Sequence, residues 1–140
     1  MFAGLLGLIF AGLFAGAAFY INFAEHPARM KLPMSQAFQQ WAPSYKRGYT
    51  MQASLAILGA LAGAVGWYLT GHLSFLVGGV VLLANWPFTL IVIMPVNKRL
   101  LSGGLTDEEI ESLLDKWGRL HGVRTALGLL STLVFFIGNL

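Results

Sequence analysis

The sequence predicts an all-α membrane protein, a bundle of four transmembrane helices, on three observations. Hydrophobic residues make up 56% of the 140-residue chain and charged residues only 11%, where a soluble globular domain carries about 25% charge. Four stretches, residues 2–24, 50–70, 73–96 and 119–138, are long and apolar enough to cross a hydrocarbon layer, which takes about 20 residues. All nine Lys and Arg and all six Asp and Glu residues lie between spans one and two, or between span three and the opening turns of span four. The connection between spans two and three and both ends of the chain carry none.

Lys and Arg favour the cytoplasmic side of a membrane. Both charged connections are therefore expected in the cytoplasm and both termini outside, an N-out/C-out domain of a plasma membrane, the inner membrane of a bacterium. The first span starts at Met1 without a basic leader and outruns a signal peptide's apolar core, so it reads as a retained helix. With no cysteine, disulfides, thiol nucleophiles and thiolate metal sites are excluded. The net charge is +3, but no basic cluster is interleaved with aromatics. No nucleic-acid partner is expected; the lipid bilayer is one.

Taken in order, span one closes on "NFAEHPARMKLP". Asn22, Glu25, His26 and Arg29 fall at i, i+3, i+4 and i+7, one polar stripe on a helix. Pro27 should distort the following turn and free a carbonyl. Ser35 is expected to cap a short helix over 35–41, whose Phe38 and Trp41 share a face suited to lying on the membrane surface. Span two opens with Tyr45, Arg47 and Gln52 at its head. Gly12 and Gly16 in span one, and Gly59 and Gly63 in span two, have the small-xxx-small spacing that lets helices approach closely, within the bundle or between copies in a homo-oligomer. His72, in "TGHLS", reads as a surface residue.

Span three holds "NWP". Asn85 is expected near mid-membrane, bonded to a neighbouring helix, and Pro87 should kink the chain. At the end of the span "PVN" places a helix-breaking Pro95 beside the amide of Asn97. Thr106 followed by Glu109 is a capping box. A helix over 106–139 would be about 51 Å long against a hydrocarbon thickness of about 30 Å, so residues 106–118 are expected to project into the cytoplasm. "WGRLHGVR" then sets Trp117, His121, Arg124 and Gly128 on one face.

These polar groups all belong to the charged ends of their helices, so simple packing brings them to one depth. Ionisable residues there need a partner or a watery cavity. Glu25 with His26 or His121 suits acid–base chemistry, and Arg124 suits stabilising an oxyanion or phenolate. Two histidines and a carboxylate also match a facial metal site. Glu25, His26 and His121 are thus candidate ligands of a single iron or copper ion, drawn from two helices because no HxxxH or ExxH spacing occurs. A haem held between His26 and His121 is a further arrangement of the same residues.

The ordered motifs "GAAFYINFAEHPAR", "YKRGYTMQ", "MPVNKRL" and "KWGRLHGVRT" resemble the anthrone oxygenase-like membrane family. The resemblance runs over nearly the whole chain. It implies a four-helix membrane domain and the oxidation of an anthrone to an anthraquinone without a conventional organic cofactor. It also implies functional positions at Glu25, Pro27, Arg29, Tyr45, Gln52, Pro95, Asn97, Trp117, His121 and Arg124. The expected catalytic set is Glu25, Asn97, His121 and Arg124. Arg29, Trp41, Tyr45, Gln52 and Trp117 are expected to bind the substrate, a lipophilic aromatic small molecule. An anthrone carries an acidic C–H near a carbonyl: His121 can take the proton, Arg124 or Asn97 can steady the enolate, and the anion can react with O2. A non-catalytic protein that binds a small molecule or lipid, or a subunit of a membrane complex, is the competing reading, with a transporter behind it.

Overall fold

In lipid every backbone N–H and C=O must find its partner inside the protein, so an apolar chain of this kind forms helices. The computed structural model describes residues 2–140, and no strand occurs among them. Four helices are long and apolar enough to span a membrane: α1 (Phe2–Arg29), α2 (Met34–Thr70), α3 (Leu73–Leu101) and α4 (Asp107–Gly138). Each contains one of the expected spans. They run up and down, with α1 and α3 each packed between α2 and α4. Gly4 packs against Phe75 and Asn139, and Gly138 against Ser74. Both termini and the α2–α3 turn therefore share one end, and the charged connections share the other.

At the terminal end small residues let the helices touch. A Cβ on Gly63 would strike the Phe75 carbonyl oxygen and lie 3.1 Å from the Phe135 ring and 3.2 Å from the Gly79 Cα. Gly59 packs on Leu82 and Phe10, so the expected role of this pair holds. It does not hold for Gly12 and Gly16, which have nothing within 4 Å of where a Cβ would lie. The face of α1 that enters the bundle is instead Gly4, Gly7, Ala11, Phe14, Ala15 and Ala18. These recur every three or four residues, whereas Gly12 and Gly16 are turned outward.

At the charged end α2 and α4 outrun the membrane. The 37 residues of α2 span about 55 Å. The separate surface helix expected over 35–41 is the beginning of α2, and Pro33, not Ser35, occupies the N-cap. The reason is Trp41: it is fully buried against Val96, Leu114 and Trp117 in a second core, which holds this segment upright instead of leaving it on the lipid surface. Pro43, inside the helix, sits on its exposed side. The capping box at α4 is formed: Thr106 N–H donates to Glu109 Oε2 at 2.9 Å and Glu109 N–H to Thr106 Oγ1 at 3.3 Å.

Two wide turns interrupt the helices near that end. Residues Ile21–Glu25 of α1 and Thr89–Ile93 of α3 form π-helical turns, closed by His26 N–H to the Ile21 carbonyl and Met94 N–H to the Thr89 carbonyl. Each comes just before a proline, Pro27 or Pro95. A proline ring has no N–H and crowds the carbonyl four residues back; the extra residue of a π turn relieves both conflicts. Pro95 therefore does not break α3, which continues to Leu101. In span three the chain also departs from regular helix at Ala84, ahead of Pro87. Asn85 does not reach another helix: its Nδ2 donates to the Leu82 carbonyl of its own helix at 3.0 Å.

Candidate functional site

Among the described residues ten polar or charged ones are buried, and nine of them lie between mid-bundle and the charged end: His26, Arg29, Gln52, Asn85, Thr89, Asn97, His121, Arg124 and Thr125. The tenth, Ser131, donates to the Gly78 carbonyl at 2.7 Å. Burying polar groups is costly unless they are bonded, so such a concentration calls for an explanation residue by residue.

The wide turn in α1 splits the expected polar stripe. Asn22 faces α4: its Nδ2 donates to the Gly118 carbonyl at 2.9 Å, and its Oδ1 lies 2.8 Å from His121 Nδ1 and accepts from Thr125 Oγ1 at 2.6 Å. Because the Nδ2 group is committed to a carbonyl, the atom facing the imidazole is the acceptor oxygen. A neutral His121 must then carry its proton on Nδ1, leaving the Nε2 lone pair for which no protein partner exists among the described residues. Asn22 was part of the predicted stripe but was not singled out as a site residue. Its role depends on pairing across 99 residues of sequence, and no local pattern announces that.

Glu25 turns instead toward α2, where its Oε1 accepts from Arg29, Ser44 and Gln40. Arg29 is 2% exposed. It is held by Glu25 and Gln40 and lies 5.6 Å over the Trp117 ring. His26 Nδ1 is 3.3 Å from the same guanidinium, and its ring packs on Trp117 at 5.5 Å between centroids. The close approach of α1 and α4 requires Gly118, where a Cβ would collide with the His26 ring. Arg29, His26 and Glu25 thus tie the end of α1 to α2 and α4. Removing one partner would leave a buried charge uncompensated, at about 3–5 kcal/mol.

On the other side of Trp117 lies a narrow cleft that encloses about 20 Å³, with Tyr45, Gln52, Asn97, Trp117, His121 and Arg124 in its wall and Glu25 and Ser44 beside them. Its aromatic side is layered. Trp41 stacks on Tyr45 with centroids 4.7 Å apart, meets Trp117 edge-on at 6.1 Å, and Trp117 stacks on His121 at 5.0 Å. Of the predicted site residues, Glu25, Tyr45, Gln52, Asn97, Trp117, His121 and Arg124 meet here. Trp41 stands behind the wall, and Arg29 and His26 lie outside the cleft, across Trp117.

The proposed metal set of Glu25, His26 and His121 is therefore not assembled. His26 and His121 each pack on Trp117, at 5.5 Å and 5.0 Å between centroids, Glu25 Oε1 is taken by three donors, and no group of three or more His, Cys, Asp or Glu residues among those described is placed to hold a metal ion. These residues do not fit a three-ligand iron or copper site.

Arg124 is the most unusual member. Its guanidinium donates to Gln52 Oε1 and lies 5.6 Å over the Phe14 ring, yet it makes no ion pair among the described residues. Eight buried side-chain polar atoms have no partner among the described residues. Six of those belong to residues that line the cleft or the chamber behind it: Gln52 Nε2, Asn85 Oδ1, Thr89 Oγ1, Asn97 Oδ1, Trp117 Nε1 and Arg124 Nε.

Four apolar helices around a polar cleft at the charged end of the bundle define an integral membrane protein. The chain belongs to the anthrone oxygenase family, whose model matches residues 41–134. That match takes in Trp41, Tyr45, Gln52, Asn97, Trp117, His121 and Arg124 and begins after Asn22, Glu25 and Arg29. It suggests an oxygenase-type role. No curated protein and no solved structure matches the chain.

Proposed function

We propose that the protein is a membrane oxygenase that oxidises an anthrone-like lipophilic aromatic with O2 in the cleft at its charged end, and that this end faces the cytoplasm. The observation that carries the reading is His121, held by Asn22 as the Nδ1–H form with Nε2 unclaimed, in one cleft with Arg124 and Asn97. A base must present a lone pair to the proton it abstracts, and a developing enolate needs donors already in place.

In this scheme His121 Nε2 takes the ring C–H proton. The enolate oxygen sits against the Arg124 guanidinium and the Asn97 amide, and the carbanion-like ring carbon attacks O2. Electrons pass from the ring to dioxygen, so that anthrone and one O2 give the quinone and one water. The stacked Trp41, Tyr45 and Trp117 rings provide a flat apolar wall for a planar guest. Tyr45 stands at the mouth, half-buried, and moves aside to admit it. Glu25 and Arg29 act as positioning residues, since they hold α1 in register and do not face the guest together.

The test is quinone formation from an anthrone by protein in lipid nanodiscs, corrected for spontaneous oxidation. Accelerated, O2-dependent turnover that disappears in His121→Ala is expected. Full turnover in both His121→Ala and Arg124→Ala would end the proposal.

A further inference from the structure

We propose that the groove between α1 and α4, on the lipid-facing side of the bundle, is a second binding site: a slot that takes a flat aromatic carbonyl compound directly out of the bilayer. Its use in loading the cleft rests on the oxidation proposed above; binding in the slot does not.

The groove offers about 360 Å³, against about 20 Å³ in the cleft and about 10 Å³ in the chamber. Small-molecule sites run from about 300 Å³ upward, so of these three spaces only the groove admits such a guest as it stands. Its α1 wall is the pair Phe19 and Phe23, whose rings lie within 10° of parallel at 5.3 Å between centroids. Phe23 is 74% exposed, so this wall opens to lipid. The α4 wall is small, with Gly122 and Ala126. Gly118, Gly128 and Gly138 of the same helix each abut a neighbouring helix, but a Cβ on Gly122 would meet nothing within 4 Å. Helix packing therefore does not call for glycine there, where it costs about 1 kcal/mol relative to alanine. The missing side chain keeps the slot open. A wall of rings facing a wall with almost no side chain suits a planar guest.

The inner side of the groove is polar, and this separates an aromatic ketone from a lipid tail. Buried Thr125 and half-buried Asn22 line it. Thr125 Oγ1 donates to Asn22 Oδ1, which also lies 2.8 Å from His121 Nδ1. Asn22 Nδ2 carries two hydrogens. One goes to the Gly118 carbonyl at 2.9 Å, and the other has no partner among the described residues. An unpaired donor is costly among lipid tails. A carbonyl oxygen on the edge of the guest accepts that hydrogen, whereas an acyl chain offers nothing to it. The same amide orients His121, so slot and cleft meet at one side chain, and a guest on Asn22 is separated from the proposed base by that residue alone.

The experiment irradiates nanodisc-embedded protein with an azidoanthraquinone and locates the label by peptide mass spectrometry, with excess anthraquinone or oleic acid as competitor. Label is expected on residues 19–23 and 122–129, displaced by anthraquinone and not by oleic acid. Gly122→Leu fills the slot from a position with open space around its Cβ. Labelling should then fall about tenfold or more, with the melting temperature held or raised. If that variant does not fold, Phe23→Ala carries the test, because it removes the exposed wall of the slot. Labelling needs no turnover, so a labelled slot in a protein that oxidises no anthrone would end the oxidation and leave the site. Where anthrone is oxidised, Gly122→Leu should raise KM and leave kcat unchanged. Label spread evenly over the lipid-facing residues of all four helices would overturn the proposal. So would equal displacement by oleic acid, which marks an acyl-chain groove, and so would undiminished labelling or an unchanged KM in the variant.

Discussion

The two ends of this bundle solve opposite problems. At the terminal end the helices are drawn together by Gly59, Gly63, Gly78 and Gly79 around the Phe75 and Phe135 rings, and the buried hydroxyl of Ser131 has its carbonyl. At the charged end large rings and buried polar groups fill the space between the helices, two π turns re-aim the backbone, and six residues that line the cleft and chamber each carry a buried polar atom without a partner among the described residues. Close packing stabilises a fold, and at the terminal end Asn139 Oδ1 is the one buried side-chain polar atom without a partner among the described residues. Polar atoms held in place without partners cost stability, and a protein retains them where something else is to bind.

The contrast makes substitutions at the two ends separable. The largest effect is expected from His121→Ala, which removes the proposed base. Turnover on an anthrone should drop by about 10²–10⁴-fold while the melting temperature holds within a few degrees; quinone formation followed by absorbance reads this directly. Asn22→Leu leaves the imidazole in place but frees its tautomer and orientation. A loss of about 10–100-fold, the scale seen when an orienting hydrogen bond to a functional histidine is removed, is expected. An unchanged rate in this variant would show that the Asn22–His121 contact is merely structural.

Gly63→Ala works from the other end. Its new Cβ meets the backbone of α3, which can yield only by moving the helix, so a cost of about 1–3 kcal/mol is expected. Denaturation in mixed micelles should show that cost, with turnover per folded molecule unaltered. Ser131→Ala should be the mildest, at about 0.6 kcal/mol for a buried hydrogen bond between membrane helices. If either variant changed turnover of the folded protein, the two ends would not be independent.

How much of this was legible in the sequence follows the same division. The four helices could be read because a bilayer admits few alternatives to an apolar helix, and the Thr106–Glu109 cap could be read because it is a local pattern. Convergence of Tyr45, Gln52, Asn97, Trp117, His121 and Arg124 on one cleft followed from their common depth. What sequence spacing missed was rotation. The π turn over Ile21–Glu25 parts Asn22 from Glu25, which ideal helical spacing had put on one face, and sends them to different neighbours. The inward face of α1 is set by Gly4, Gly7 and Ala11, so the more conspicuous Gly12 and Gly16 pair was misleading. Asn22 itself could be found only by knowing which turn of α4 lies across from it. One signal was available in retrospect: Pro27 and Pro95 each lie inside a long apolar helix, where the turn before a proline can widen to relieve its clash.

The most direct test of the account is O2 consumption, paired with quinone formation, by wild-type and His121→Ala protein in the same nanodiscs with an anthrone as substrate. The expected result is one O2 consumed per quinone formed by the wild type, well above the protein-free rate, and only the protein-free rate for a His121→Ala variant that melts as the wild type does. Equal rates for the two proteins, or a wild-type rate no faster than lipid alone, would contradict it.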